Sequence, residues 1–326
     1  MADDSLGYSF LTIDMLPAWG ILGLGGVILA VGGTLFDKYL LSKYFNDHDE
    51  SDSGPGALVI FSAYFSVFII AGLVIYNSGE FTFTKQAVVY SLLAGILNGL
   101  WILLYLKAIN RSGVSKTAPL LQTIPAFGLI LAYFTLGEVL TTQQIIAMTT
   151  LLLGAVVLMR ISSDHRLKID FRTFGLMLSS AFLVALSQTF FKLATVTTDY
   201  FSATLVLWFG FLFFGMVLHL GVKGYRKQFN YMFADRVKRV FSLNAANELF
   251  DSLGELLFFA AIMIGPLALV QSLNAYEPFL IMVFSVILTL MYPKYFSESL
   301  SERDILQTTL GILIVLTGSM LLYTNI

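Results

Sequence analysis

VFSLNAANELFDSLGELLFFAAIMI, residues 240–264, is an apolar run of membrane length that carries Glu248, Asp251 and Glu255. Spacings of three and four residues put these carboxylates within about 60° of one another on one helix face. An ionisable side chain inside a bilayer is costly unless it faces a partner, a cavity or water. A chain that keeps a whole stripe of them has a polar pathway to line. Asn244 falls on the same stripe and Asn247 slightly off it.

Outward from this stretch the pattern repeats. Of 326 residues, 57% are hydrophobic and 12% charged, with a mean hydropathy of +0.81. Soluble domains carry about 25% charged residues, so this chain lacks the polar surface that water requires. Apolar runs fall near 18–38, 57–76, 87–106, 117–136, 143–160, 174–193, 203–221, 241–264, 267–290 and 306–323. Each is long enough to cross roughly 30 Å of hydrocarbon. The expected fold is an all-α integral membrane protein of about ten transmembrane helices.

Two connections are longer than the rest. Lys43 to Gly56 is acidic and ends in glycine, which reads as a flexible solvent loop. Val222 to Arg239 alternates aromatic and basic residues at helical spacing. That suits an interfacial helix on anionic lipid, and equally a solvated basic connector. Of the 19 Lys and Arg, all but Lys85 and Lys192 lie in or beside the loops after odd-numbered spans. The positive-inside rule then puts those loops in the cytoplasm and both termini outside. The acidic start MADDSLGYSFLTID lacks the basic region of a cleavable leader.

The two halves of the chain are similar. LAVGGTLFDK (Leu29 to Lys38) parallels LVALSQTFFK (Leu183 to Lys192), and LLYLKAI (Leu103 to Ile109) parallels LLFFAAI (Leu256 to Ile262). Further on, Leu120 matches Leu273 and Pro125 matches Pro278, the offset drifting from 154 to 153. Repeats of five spans each, an odd number, must be inverted relative to one another, and inverted repeats suit alternating access around a midplane site. The expected organisation is an extramembrane segment 1–17, a first five-helix repeat 18–160, a connecting loop 161–173 and a second repeat 174–326.

With YLKAINRSGVSKTAPLLQTIPAFGLILAYFTLGEVLTTQQIIAMTTLLLGAVVLM in the first half and FFAAIMIGPLALVQSLNAYEPFLIMVFSVILTL in the second, the chain resembles EamA-like permeases of the drug/metabolite transporter superfamily. The first copy has the small-residue turn, the proline-containing helix and the LGE boundary. In the second, MYPKYFSESLSERD replaces the LGE box. The resemblance covers residues 18–323 and rests on packing motifs. It implies two inverted five-helix repeats, a transport function and cytoplasmic termini, the last in conflict with the charge count.

Candidate site residues lie on six helices. In the eighth span they are Glu248, Asp251, Glu255 and Asn247. Crowded, desolvated carboxylates suit proton coupling, an amine substrate or Na⁺. Alternatively Glu248 sits among headgroups, paired with Arg236 or Arg239. The ninth span offers Gln271, Asn274 and Glu277 before Pro278, and the fourth offers Gln122 at matching depth. In the third, Asn98, Trp101 and Tyr105 share a face on which aromatics enclose a cation or simply pack. Gln188 in the sixth span adds a polar group. Lys38 and Lys192 occupy matching helix ends and are candidate gates, pairing with carboxylates as their side closes, or snorkelling lysines.

The chain has no Cys and three scattered His, with no nucleophile–His–acid arrangement, metal-ligand spacing or nucleotide motif. The expectation is therefore no enzyme, no metal, no cofactor beyond a coupling H⁺ or Na⁺, and no nucleic-acid partner. The leading expectation is a secondary transporter of a small metabolite or organic cation, with proton-coupled export as the coupling mode. It would sit as a monomer or homodimer in a bacterial or archaeal inner membrane. The alternatives are a nucleotide-sugar or phosphate-type carrier, which buried acidic charge disfavours, and a non-transporting membrane interaction or lipid-handling protein.

Overall fold

A computed structural model describes residues 17–40, 53–112, 117–137, 141–161, 171–232, 237–277, 279–281, 283–284 and 302–323. Among them the regular structure is helical: α1 (Ala18–Leu40), α2 (Ser53–Tyr76), α3 (Lys85–Ser112), α4 (Ile124–Leu136), α5 (Thr142–Ile161) and α6 (Phe171–Thr195). Then follow α7 (Tyr200–Gly221), α8 (Lys223–Met232), α9 (Val237–Ile264), α10 (Leu267–Ser272) and α11 (Glu302–Tyr323). Among the described residues five helices, α1, α2, α3, α6 and α7, are long and apolar enough to cross a membrane. With 28 residues α9 is also long enough, but its carboxylates and the basic residues Lys238 and Arg239 interrupt its apolar character.

Large apolar side chains lie on the outside of the molecule, and small polar ones are buried within its core. Ser66, Ser91, Asn98, Ser180 and Asn244 are buried, whereas Phe68, Ile75, Phe134 and Leu220 are exposed. A protein solvated by lipid has no reason to hide such side chains and every reason to hide hydroxyls and amides. The fold is that of a multi-pass integral membrane protein.

Proline shapes the helix in front of the site. Residues Ala118–Thr123 form a 3₁₀ segment that runs directly into α4, with Pro125 in the first turn. In the second half α10 passes into a 3₁₀ segment, Leu273–Tyr276, just before Pro278, which itself lies outside the described residues. A proline ring cannot follow a regular α turn without a clash, and the tighter 3₁₀ turn relieves it. Gly137 of the LGE box has φ 68°, the left-handed conformation that ends α4. Glu138 and most of MYPKYFSESLSERD lie outside the described residues.

Long helices pack crosswise between the halves: α1 along α9, α3 along α6, and α5 against α11. At the first crossing a Cβ on Gly26 would stand 2.8 Å from the Gly254 carbonyl oxygen, so only glycine permits this approach. At the second, Ser180 Oγ donates to the Trp101 carbonyl at 3.0 Å and Ser187 Oγ to the Ala94 carbonyl at 2.8 Å.

The turn between α6 and α7 is fixed by Asp199, which caps α7 by accepting from Ser202 N at 2.9 Å and also accepts from Thr82 Oγ1 at 2.7 Å. Partial burial raises the Asp199 pKa, but hydrogen bonds from Ser202 and Thr82 outweigh it and hold the carboxyl below its usual range.

One expectation changes, and one open alternative narrows. Ser53 to Gly56, assigned to a solvent loop, are buried in the first turn of α2, where the Tyr225 ring leaves no space for a side chain at Gly56. The remainder of that loop, like residues 1–16 and 162–170, lies outside the described residues. Of the two readings of the basic stretch after α7, the helical one holds over Lys223–Met232, which forms α8 and docks on α2. Phe229 is buried against Tyr64 and His219, with the Tyr64 hydroxyl 2.6 Å from His219 Nδ1. Lys223 and Lys227 face outward.

Candidate functional site

The carboxylates of α9 are positioned one by one against different helices. Glu248 is buried and accepts from Ser62 Oγ of α2 at 2.5 Å. Asp251 lies over Gly33 of α1, where any Cβ would collide with its carboxylate. Glu255 accepts from Asn98 Nδ2 of α3 at 2.9 Å, and Trp101 Nε1 donates to Asn98 Oδ1 at 2.5 Å. The indole therefore fixes the amide, and the amide fixes the carboxylate. A fourth carboxylate, Glu277, follows the second 3₁₀ segment and accepts from Thr34 Oγ1 of α1 at 3.3 Å.

Glu248, Asp251, Glu255 and Glu277 line one cavity of about 170 Å³. Asn98, Gln188 and Asn274 add neutral polar groups, and Trp101, Tyr105 and Trp208 add aromatic wall. Among the described residues the lining includes no Lys, Arg or His. Such a cavity combines carboxylates with apolar surface, and the described lining holds no cationic side chain. It favours a positively charged guest, because desolvated carboxylates attract a cation more strongly than water-exposed ones do. Among the described residues no group of three or more His, Cys, Asp or Glu could hold a metal ion.

The other candidates lie one layer back. Gln271 Nε2 donates to Gln188 Oε1 at 2.9 Å, which places Gln271 behind a cavity residue. Gln122 Nε2 donates to the Asn274 carbonyl at 3.3 Å. Asn247 is buried in α9 but does not line the cavity. Gln271 and Asn274 take different roles: Asn274, inside the 3₁₀ segment, lines the cavity, and Gln271, before it, does not.

Lys192 reaches the end of α9, where Nζ donates to the carbonyls of Ile262 and Met263 at 2.8 Å and of Gly265 at 3.0 Å. A cation satisfying terminal carbonyls complements the helix dipole, so this lysine anchors the α9–α10 corner. The Lys38 side chain lies outside the described residues. Sequence reasoning passed over Ser62 and Trp208. Neither carried a signal, since a serine or a tryptophan in an apolar run is ordinary until its facing helix is known.

The class that fold and site define is a multi-pass membrane protein enclosing a polar cavity. Residues 17–160 match the EamA-like transporter family, so this part of the chain is an EamA-like transporter domain, a module of transport rather than catalysis. Among curated proteins none matches the chain. A solved structure described only as "Crystal structure of protein" has the same fold, with TM-score 0.63 at 11% identity over 94% of this chain and 96% of that one. At that identity the likeness speaks to fold alone.

Proposed function

We propose that the chain is a secondary transporter that moves a small organic cation by alternating access between inverted five-helix repeats, residues 18–160 and 174–326, joined by 161–173. Its proposed site comprises Glu248, Asp251, Glu255 and Glu277 with Asn98, Trp101, Tyr105, Asn274 and Gln188, backed by Gln122, Gln271 and Asn247. The observation that carries this reading is a cavity lined by four carboxylates with no basic residue in the described lining. The crosswise packing supports the repeats: Gly26 and Ser180, offset by 154, each face a helix of the opposite half, at Gly254 and Trp101, offset by 153.

Size and charge weigh against a nucleotide-sugar carrier. A cavity of about 150 Å³ admits benzene, and about 170 Å³ is therefore a fit for a compact guest rather than a sugar nucleotide. A carboxylate that exchanges a proton for the cation would couple export to proton entry, with Na⁺ as the competing coupling ion.

The test is the melting temperature of the purified protein against small amines and quaternary ammonium ions, followed by uptake into proteoliposomes with an imposed pH gradient. A guest at a hundred times its Kd stabilises by about 2.7 kcal/mol. Stabilisation by cations, with gradient-driven movement lost in Glu255→Gln, is the expected result. Response to anionic sugars alone, or to no solute, would overturn the proposal.

A further inference from the structure

The helix that the transport reading leaves without a role is α8. It reads KGYRKQFNYM, has no acidic residue, and shows two different faces. Tyr225 and Phe229, four residues apart, form the inner one. The Tyr225 ring closes over Gly56 of α2, with Lys107 Nζ of α3 5.5 Å from its centroid, and Phe229 is buried against Tyr64 and His219. Lys223, Lys227 and Tyr231 keep the same spacing two residues out of phase, about 200° around the helix, and all three are exposed. An aromatic stripe thus fixes α8 to the protein, and two cations and a phenol are left on the outside.

What lies outside them follows from α7. Its exposed Phe209, Phe213, Val217 and Leu220 form one large apolar stripe, Leu220 being 76% exposed, and in a membrane such a stripe faces acyl chains. With 22 residues α7 is about 33 Å long, close to the thickness of the hydrocarbon. Lys223 follows Leu220 by three residues, at most about 11 Å of chain, so α8 starts where acyl chains give way to headgroups. Tyr231, 65% exposed on the lysine stripe, fits that depth, because tyrosine rings settle at the headgroup level. Lysine stems lie along apolar surface there while their ammonium groups reach the phosphates. A zwitterionic headgroup offers two ammonium groups no net counter-charge; an anionic one does.

We propose that the outer face of α8 is a docking surface for anionic phospholipid headgroups, held by Lys223 and Lys227 with Tyr231 beside them at the same depth. The occupant is a lipid of the surrounding bilayer, not a soluble anion. This role is separate from the cavity and does not depend on what the cavity carries.

The chain has no Cys, so Asn230→Cys, exposed on α8, takes a single fluorophore. The full-length protein is reconstituted in bilayers of equal phosphatidylglycerol and phosphatidylcholine. Quenching is then compared when one lipid or the other carries a nitroxide near the top of an acyl chain. A lysine at an anionic surface is worth about fivefold in affinity, so phosphatidylglycerol should outcompete phosphatidylcholine beside α8 by at least that factor. Raised ionic strength should weaken the preference, and Lys223→Gln/Lys227→Gln should bring the two lipids level. A fluorophore at Val196→Cys, exposed in the α6–α7 turn at the other end of α7, should show no such preference. Equal quenching by the two lipids beside α8 overturns the proposal, as does a preference that survives the double variant or appears equally at both labels. Displacement by inorganic phosphate at constant ionic strength would make this a site for a soluble anion and overturn it too. Solute movement plays no part in the readout, so failure here leaves the transport reading standing, and failure of that reading leaves this one.

Discussion

Two helix crossings occupy matching places by sequence offset, and they are made of different materials. Where α3 meets α6, Ser180 and Ser187 each donate a hydroxyl to a carbonyl of the facing helix. Where α1 meets α9, the corresponding positions are Gly26 and Gly33. The first glycine lets two backbones touch, and the second leaves a hollow that the Asp251 carboxylate fills. A hydroxyl bonded to a carbonyl fixes the register of two helices. A glycine beneath a carboxylate gives that register no bond but makes room for charge. At its serines the first crossing is thus scaffold, although α3 and α6 also give Asn98, Trp101, Tyr105 and Gln188 to the cavity, and at its glycines the second has been opened to hold charge.

The strongest way to break this contrast is Gly33→Ala. The new methyl would overlap the Asp251 carboxylate, which must leave its place over α1 to make room. Overpacking of this kind costs about 1–3 kcal/mol, so the melting temperature should fall and the cation-induced shift should vanish. Normal cation binding in Gly33→Ala would mean that Asp251 does not need the hollow. A sharper probe is Asp251→Asn, which keeps the shape and removes the charge. Stability should stay within about 1 kcal/mol of wild type, while cation binding weakens by tenfold or more. An unchanged affinity would remove Asp251 from the site and leave Glu255 and Glu277 to carry it.

The scaffold crossing is also pinned at its end. Thr82 and Thr84, which precede α3, bond to Asp199 and Thr197 of the α6–α7 turn. Losing the Asp199 cap through Asp199→Ala should cost about 1 kcal/mol of stability and spare cation binding. Its folded pKa lies below the ordinary 3.8. The stabilisation is therefore complete above the unfolded value of about 3.9 and disappears as pH falls through the folded one. An acid titration of the melting temperature should show this loss in wild type and not in Asp199→Asn. The same loss in both would assign it to another group.

What the sequence disclosed, and what it withheld, follows from the range of each interaction. The α9 carboxylates were legible because helical spacing alone puts Glu248, Asp251 and Glu255 on one face, and all three line the cavity. Hydropathy marked α1, α2, α3, α6 and α7 for the same reason, a local property read within one segment. Ser62 on Glu248 and Thr34 on Glu277 join residues 186 and 243 positions apart, which no local pattern encodes. Lys192 was read as a gate or a snorkelling lysine; that its Nζ also bonds the carbonyls at the end of α9 was hidden, because a sequence displays side chains and not terminal carbonyls. Asn274 lines the cavity without Gln271 and lies in a 3₁₀ turn that an assumed α period does not contain.

The smallest expected effect tests whether the scaffold crossing is merely scaffold. Ser187 Oγ is buried and bonded to the Ala94 carbonyl at 2.8 Å. That carbonyl already belongs to the helical ladder of α3, so Ser187→Ala leaves no strongly polar group without a partner. Hydroxyl bonds between membrane helices contribute about 0.6 kcal/mol on average, and a loss near that size is expected in the melting temperature. Binding of a cationic ligand should not change, because Ser187 lies behind the cavity wall and bears no charge. Ser180→Ala should behave alike, and the double variant should show the sum, since the two hydroxyls bond carbonyls seven residues apart on α3. If either variant instead altered cation affinity with little change in stability, the hydroxyls would be setting the register of α3, and with it the position of Asn98 against Glu255. The scaffold crossing would then belong to the site as fully as its glycine counterpart does.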